Sequence, residues 1–485
     1  GPKGTDVERI EARQLAQWAG GDLIGRPDAL VGPAVVIDSR QVSPGAVFVA
    51  IAGERHDGHD FVAGCAAAGA GAALVSRRVD ADLPQVLVPD TVGGLSALAR
   101  GVVADAKEHG LVVVGVTGSS GKTSTKDLIA QVLEPAGATV APLGSFNNEI
   151  GAPLTACGVD RSTRFLVAEM GARGIGHVRW LCSITPPTVG VVLNVGTAHL
   201  GEFGSQDAIA QAKGELVEAL DADGWAVLNA DDHRVAAMAS RTAARIATFS
   251  LRSPDAAAPA SDAPAPALRV WASDLDADEL QRYAFSLHAE GAVTGSAPVR
   301  LRVLGVHSVA NALAAAAAGL CAGVGLDAVA SALSSATTRS KWRMQLDQRS
   351  DGLAVLDDAY NANPDSMAKA IETVARLRRP GGRVVAVLGD MLELGEGAPE
   401  AHVAAGRQAA DAGVDELLAV GEHGPALVAG FAACGRPARY FSEKGEAAAH
   451  LAGSAGPRDV VLVKASRGTA LETVADALLK EGRLS

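Results

Sequence analysis

The chain has 485 residues, 48% of them hydrophobic and 20% charged, with a formal net charge of −12. That composition is ordinary for a globular protein, and the length exceeds one core, so two to four domains are expected. An acidic surface repels phosphate backbones and anionic lipid and no basic patch offsets it, which argues against nucleic acid as a partner and against membrane insertion.

Gly1 to Arg13 is polar and charged, unlike a secretory leader, and Gly1-Pro2 resembles a processing scar. Strand-like runs then alternate with helical patterns almost throughout, which is the signature of an α/β protein with parallel sheets and crossover helices. A first unit, residues 1–108, contains AVVIDSR, GAVFVAIAG and ALVS as strands. A central unit, residues 109–337, opens with LVVVGVTG, an apolar run typical of a strand buried on both faces, and continues through FLVAEMG, VGVVLNVG and WAVLNADD. SPDAAAPASDAPAPA, from Ser253 to Ala267, is too poor in large apolar residues to order itself and reads as an exposed loop. RYAFSLHAEG and PVRLRVLG alternate as an antiparallel flap would, and helices are expected from Ser308 to Gly323 and from Leu326 to Ala336. A third unit, residues 338–485, has LAVLDDAY, RVVAVLGD, ELLAVGEH, ARYFS and DVVLVKAS as strands, a Rossmann-like pattern without GxGxxG at its first turn.

Five scattered cysteines (Cys65, Cys157, Cys182, Cys321 and Cys434) sit in apolar segments without metal-type spacing and read as reduced, buried thiols. The longest apolar run, Asn311 to Gly325, is short and mostly alanine, which suits a buried helix and not a membrane span. A cytoplasmic, monomeric protein is expected.

The strongest local signal follows LVVVGV. Gly118-Ser119-Ser120-Gly121-Lys122-Thr123-Ser124 lies between that strand and the helical run KDLIAQVL. Glycines let backbone N–H groups point at a phosphate, and the helix N-terminus adds a favourable dipole. Lys122 would reach the β- and γ-phosphates of ATP, and the Thr123 hydroxyl would bind Mg²⁺. Val116 stands where the standard pattern has its first glycine, and Gly118 supplies the flexibility instead. Glu169 ends FLVAEMG at a sheet edge where ligands bind, and a carboxylate there suits a hard cation as well as it suits solvent. His199 also follows a strand end, although Mg²⁺ prefers oxygen ligands. Lys213, in SQDAIAQAKGELVEAL, has by composition the look of a surface lysine.

TGSSGKTST, AEMG, NVGTAHL and AQAKGEL together resemble the Mur ligase family, which also includes folylpolyglutamate synthetases. DSRQVSPGAVFVAIAGERHDGHDF, Asp38 to Phe61, is similar to the uridine-nucleotide module of members that add the third residue or the terminal dipeptide. DDAYNANPDSM, Asp357 to Met367, resembles the signature of the member that adds D-alanyl-D-alanine. The resemblance spans all three units. It implies a small α/β module binding the UDP-N-acetylmuramoyl-peptide, a central ATPase domain, and a C-terminal domain that closes over ATP and binds the dipeptide. It also implies an ATP-dependent ligase working through an acyl phosphate, with UDP-N-acetylmuramoyl-tripeptide and D-Ala-D-Ala as substrates.

Residue by residue, the resemblance implies Thr123, Glu169 and His199 as magnesium ligands and Lys213 as a lysine carbamylated by CO₂. It implies Asn311 near the adenine, with Ser308 in place of that motif's first asparagine, Arg343 near the γ-phosphate, and Asp358, or else Asp357, on the ribose. Ser39, Arg40, Asn147 and Asn148 match the path of the nucleotide-linked substrate. Lys464, Ser466 and Arg467 match a carboxy-terminal KGSR motif in which Ala465 replaces the glycine. Three other readings remain: a sister ligase adding a diamino acid, whose DNPR motif is absent; a folylpolyglutamate synthetase, which lacks the DSRxVxPG module; and a P-loop switch protein, which needs mobile switch loops.

Overall fold

Four β-sheets organise the computed structural model, which describes residues 9–54, 56–144, 146–196, 203–254, 265–392 and 394–480. The chain divides into two units, one of residues 1–274, 285–299 and 310–334, the other of residues 275–284, 300–309 and 335–485.

In the first unit, a five-stranded sheet takes the order Asp22–Ile24, Gln85–Leu87, Ala72–Val75, Val47–Val49, Val35–Val36, parallel except for its first pair. Helix Ala12–Ala19 buries Ala12, Leu15, Ala16 and Ala19, a spacing that lines one helical face, and stops at Gly20 in the left-handed conformation. Helix Thr91–Glu108 begins where the Asp90 carboxylate accepts from the Val92 and Gly93 amides. Leu15, Leu98 and Val103 share one core with Val113, Cys157, Leu166 and Ile184, so the amino-terminal module and the phosphate-loop sheet are joined by apolar packing.

The main sheet has nine strands in the order Gly295–Leu304, Arg282–Gly291, Leu268–Ala277, Arg245–Ser250, Trp225–Asn229, Val189–Val192, Val112–Thr117, Phe165–Glu169, Thr139–Val140. The pairings from Thr139–Val140 through Leu268–Ala277 are parallel, and the short connections 278–281 and 292–294 make the last three strands an antiparallel meander. The flap thus has one strand, Leu268–Ala277, beyond the two expected. Val112–Thr117 lies centrally, with Val113, Val114 and Val116 fully buried. Its register pairs Glu169 with Val116 and Val192 with Thr117, which brings two strand ends to the start of the phosphate loop. Gly115 and Gly190 are register partners. Cβ atoms there would stand 3.0 and 3.1 Å from the Leu216 side chain, so the glycine pair lets helix Gln206–Glu218 lie close on the sheet.

In the second unit, six strands run Gln345–Gln348, Ala354–Asp357, Val460–Lys464, Val384–Leu388, Glu416–Val420, Ala438–Phe441, all parallel except the first pair. Both faces are covered, with Leu356, Ala386 and Leu462 in one core and Val355, Val385 and Val463 in the other. Among the described residues no helix is long and apolar enough to cross a membrane. Most of the loop expected from Ser253 to Ala267 lies outside the described residues.

Candidate active site

The phosphate loop is anchored from the neighbouring strand end. Ser119 N donates to Asn194 O at 3.1 Å, Ser120 N to Asn194 Oδ1 at 3.0 Å, and Asn194 Nδ2 back to Ser120 O at 3.2 Å. Ser119 Oγ accepts from Gly196 N at 2.8 Å. Gly121, at φ +80°, starts helix Lys122–Leu133, and a Cβ there would stand 2.9 Å from Asn311 Oδ1. Glycine at 121 thus admits both the left-handed turn and the close approach of Asn311. Lys122 Nζ donates to Gly118 O at 2.8 Å, curled over its own loop, and burial lowers its pKa against the opposing pull of Glu169. Ser124 is exposed on the first helical turn.

Beside the loop, Glu169 is 3% exposed. Its Oε2 accepts from Thr123 Oγ1 at 3.1 Å and its Oε1 from Asn147 Nδ2 at 3.4 Å. A Cβ on Gly171 would fall 2.3 Å from Asn147 Nδ2, so only glycine leaves room for that amide. Asn148 does something different: its Oδ1 accepts from Ile150 N at 3.2 Å and Gly151 N at 2.6 Å, which holds the turn leading into helix Gly151–Ala156. Lys213 is 4% exposed and has no hydrogen-bond or ion-pair partner among the described residues. Burial first, and the Lys122 charge second, bring its pKa down to about 8. Composition suggested a surface lysine at 213, and the structure corrects this: the helix turns the residue inward. His199 lies outside the described residues, and among the described residues no group of three His, Cys, Asp or Glu side chains could hold a metal ion. The oxygen donors of Glu169 and Thr123 nevertheless fit a hard divalent cation.

In the amino-terminal module, Ser39 and Arg40 form a 3₁₀ turn after strand Val35–Val36. Arg40 is exposed and pairs with both Asp38 oxygens, at 2.9 and 2.7 Å, a pairing that brings the Asp38 pKa down to about 2.

In the second unit, Lys464 is 1% exposed, and its Nζ donates to Asp358 Oδ2 at 2.6 Å and Asn361 O at 2.9 Å. Asp358 also accepts from Met344 N at 2.9 Å; burial raises its pKa and Lys464 opposes the rise. Ser466 Oγ accepts from Leu392 N at 2.9 Å and donates to Ala362 O at 3.2 Å. Arg343 lies over the Tyr360 ring and Arg467 over Trp342, each 4.0 Å from the centroid, and Arg467 also pairs with Glu472 at 2.6 Å. Asp357 is buried, and burial pushes its pKa up to about 7. Part of DDAYNANPDSM is helix-start chemistry: Asn363 accepts from Ser366 N at 2.8 Å, with Pro364 opening helix Pro364–Arg376.

Lys464→Met is expected to destabilise the second unit by about 3–5 kcal/mol, because it strands the Asp358 carboxylate in the interior. Urea denaturation of the variant measures this, and a loss below about 1 kcal/mol would contradict the buried-pair account.

Sequence reasoning passed over Asn194, Lys126 and Glu215. Lys126 is fully buried, and its Nζ donates to the carbonyls of Pro142 and Gly144 and pairs with Asp127 at 2.8 Å, which ties the phosphate helix to the loop carrying Asn147. Asn194 had a legible signal, a polar residue ending a buried strand beside the loop.

A parallel α/β sheet, a glycine-rich loop feeding a helix, and a buried carboxylate on the loop's threonine define a phosphate-loop nucleotide-binding protein. Three family descriptions match the chain: "Mur ligase family, catalytic domain" over residues 34–113, "Mur ligase middle domain" over 116–319, and "Mur ligase, glutamate ligase domain" over 342–467. The chain belongs to the Mur ligase family. It is 43% identical to a Mycobacterium tuberculosis protein over 97% of this chain and 98% of the relative, and 37% identical to an Escherichia coli protein over 98% and 99%. Both relatives are named UDP-N-acetylmuramoyl-tripeptide–D-alanyl-D-alanine ligase. Among solved structures, MurF from Acinetobacter baumannii aligns with a TM-score of 0.82 and 31% identity, covering 98% of this chain and all of that one. MurF from Thermotoga maritima, in complex with ADP, aligns with a TM-score of 0.67 and 28% identity, covering 93% and 98%.

Proposed function

We propose that the chain is an ATP-dependent ligase that adds D-alanyl-D-alanine to UDP-N-acetylmuramoyl-tripeptide during cytoplasmic synthesis of the peptidoglycan precursor. The observation that carries this reading is the near-full-length match, at 43% identity, to a relative named for that reaction.

A carboxylate is a poor acyl donor. ATP first phosphorylates it, and the dipeptide amine then displaces phosphate to form the amide. Phosphoryl transfer needs position and charge neutralisation more than covalent help. In this reading Gly118 to Ser124 hold the phosphates through backbone N–H groups, and Lys122 leaves Gly118 O to meet the γ-phosphate. Asn311, against Gly121, lies toward the adenine. Thr123 and Glu169 hold magnesium, with His199 and Lys213 as further ligands, and magnesium supplies charge neutralisation for the transferring phosphoryl group.

Lys213 acts as a carbamate: its neutral amine nitrogen bonds to the carbon of CO₂ and one proton is released, leaving a carboxylate-like anion. Ser39, Arg40, Asn147 and Asn148 are assigned to the nucleotide-linked substrate, with Asn147 acting from its place on Glu169. Arg343, Asp358, Lys464, Ser466 and Arg467 keep the roles that their motifs suggest. Lys464 and Ser466 work by shaping the loop around Asp358, since both side chains are already engaged there.

Orthophosphate release measured with ATP alone, with each substrate singly and with both decides the reading. Turnover is expected only with the tripeptide nucleotide and the dipeptide together. Offering a free diamino acid in place of the dipeptide is expected to give no product. Sustained hydrolysis of ATP alone would overturn the ligase assignment.

A further inference from the structure

Lys213, Gly214 and Glu215 are consecutive on helix Gln206–Glu218, so at about 100° per residue their side chains leave it in three directions. Lys213 is buried, near enough to Lys122 for the two charges to repel. Gly214 faces Arg241, whose guanidinium donates to the carbonyls of Ala210 and Gln211 at 3.1 and 2.9 Å and pairs with Glu218 at 2.7 Å. A Cβ at 214 would fall 1.9 Å from Arg241 Nη1, so glycine is required for the guanidinium to lie along this turn.

Glu215 takes the third direction. It is 1% exposed, with Oε1 accepting from Gly176 N at 2.6 Å and Oε2 from Arg179 N at 2.9 Å. Those amides open helix His177–Ile184, whose own cap residue, Gly176, has no side chain to offer. A distant carboxylate therefore caps this helix, and the N-terminal dipole and two amide donors offset the cost of burying its charge. The capped helix follows the short segment that leaves the strand ending at Glu169. One buried side chain thus fastens the chain after Glu169 to the helix that carries Lys213.

We propose that Glu215 is a positioning residue that sets the relative placement of Glu169 and Lys213, and through them the magnesium affinity of the site. The inference rests on the assignment of those two residues to magnesium. A group that orients metal-holding side chains typically changes metal affinity or activity by about 10–100-fold when it is removed.

The test uses the full chain with ADP and Mn²⁺ as the probe ion, reading bound Mn²⁺ by electron paramagnetic resonance and amide exchange across residues 171–179. Glu215→Gln keeps the shape and loses the charge; it is expected to weaken Mn²⁺ binding by on the order of tenfold or more and to speed exchange at Gly176 and Arg179. Glu215→Asp, which keeps the charge one methylene short, gives the same measurement should the glutamine variant not fold, and a smaller loss is expected. Lys213→Ala is expected to weaken Mn²⁺ binding without faster exchange at Gly176. Faster exchange in Glu215→Gln with Mn²⁺ affinity within about twofold of the parent, while Lys213→Ala loses it, overturns the positioning role. Unchanged affinity in Lys213→Ala overturns the metal assignment, and the inference with it.

Discussion

Lys122→Ala is expected to lower ligation by about a hundredfold or more while the fold survives. Losing one charged contact at a site of developing charge typically costs on the order of 2.7–4 kcal/mol. The folded chain loses little by comparison: the Lys122 ammonium meets Gly118 O, and the loop keeps its hydrogen bonds to Asn194 and Gly196. Burial already lowers the Lys122 pKa, so the unliganded site holds the charge at a cost that an arriving polyphosphate relieves. Product formation and thermal unfolding, measured on the same preparation, separate the two effects. Near-normal turnover would remove the phosphate loop from the mechanism. A collapse in melting temperature would make the lysine a structural residue.

The legibility of the site in the sequence follows burial pattern. Val112–Thr117 is an unbroken apolar run because both its faces are covered, and its glycine-rich exit then marks the loop. Strands such as Thr139–Val140 and Gln345–Gln348 escaped notice because two residues, or a polar edge strand, carry no periodic signal. Inward-pointing charges are harder still. Lys126, Lys213 and Glu215 sit in helical stretches where charge ordinarily means solvent, and only the packing of helix on sheet shows which of them turn inward. The aspartate pair shows the same limit. Asp358 pairs with Lys464, whereas Asp357 faces the helix Glu472–Lys480, near Glu472 and Asp476, a distinction of one residue that composition does not contain.

Lys213→Ala is expected to be the second severe loss, on the order of a hundredfold in turnover, and its pH behaviour identifies the reason. An ammonium has no lone pair and repels magnesium, whereas a carbamate presents two oxygens of the kind a hard cation prefers. Carbamate formation requires the neutral amine. With burial bringing the pKa down to about 8, a far larger share of the amine is neutral near neutral pH than in an ordinary lysine. Activation by bicarbonate is therefore expected to rise with pH up to about 8 and then to level off. Without CO₂, the unfolded chain retains a proton between pH 8 and 10.5 that the folded chain has released, so this residue adds stability as pH rises across that window. The absence of a hydrogen-bond or ion-pair partner among the described residues leaves the nitrogen available for the reaction. Isotope-labelled bicarbonate followed by carbon magnetic resonance should show a carbamate signal that vanishes in Lys213→Ala. Short carboxylates should restore part of that variant's activity by filling the same space with oxygen ligands. Undiminished activity in Lys213→Ala, or a fully unmodified lysine in active enzyme, would sink the assignment. Loss of activity without rescue and without a carbamate signal in the parent would instead leave the lysine acting through its charge.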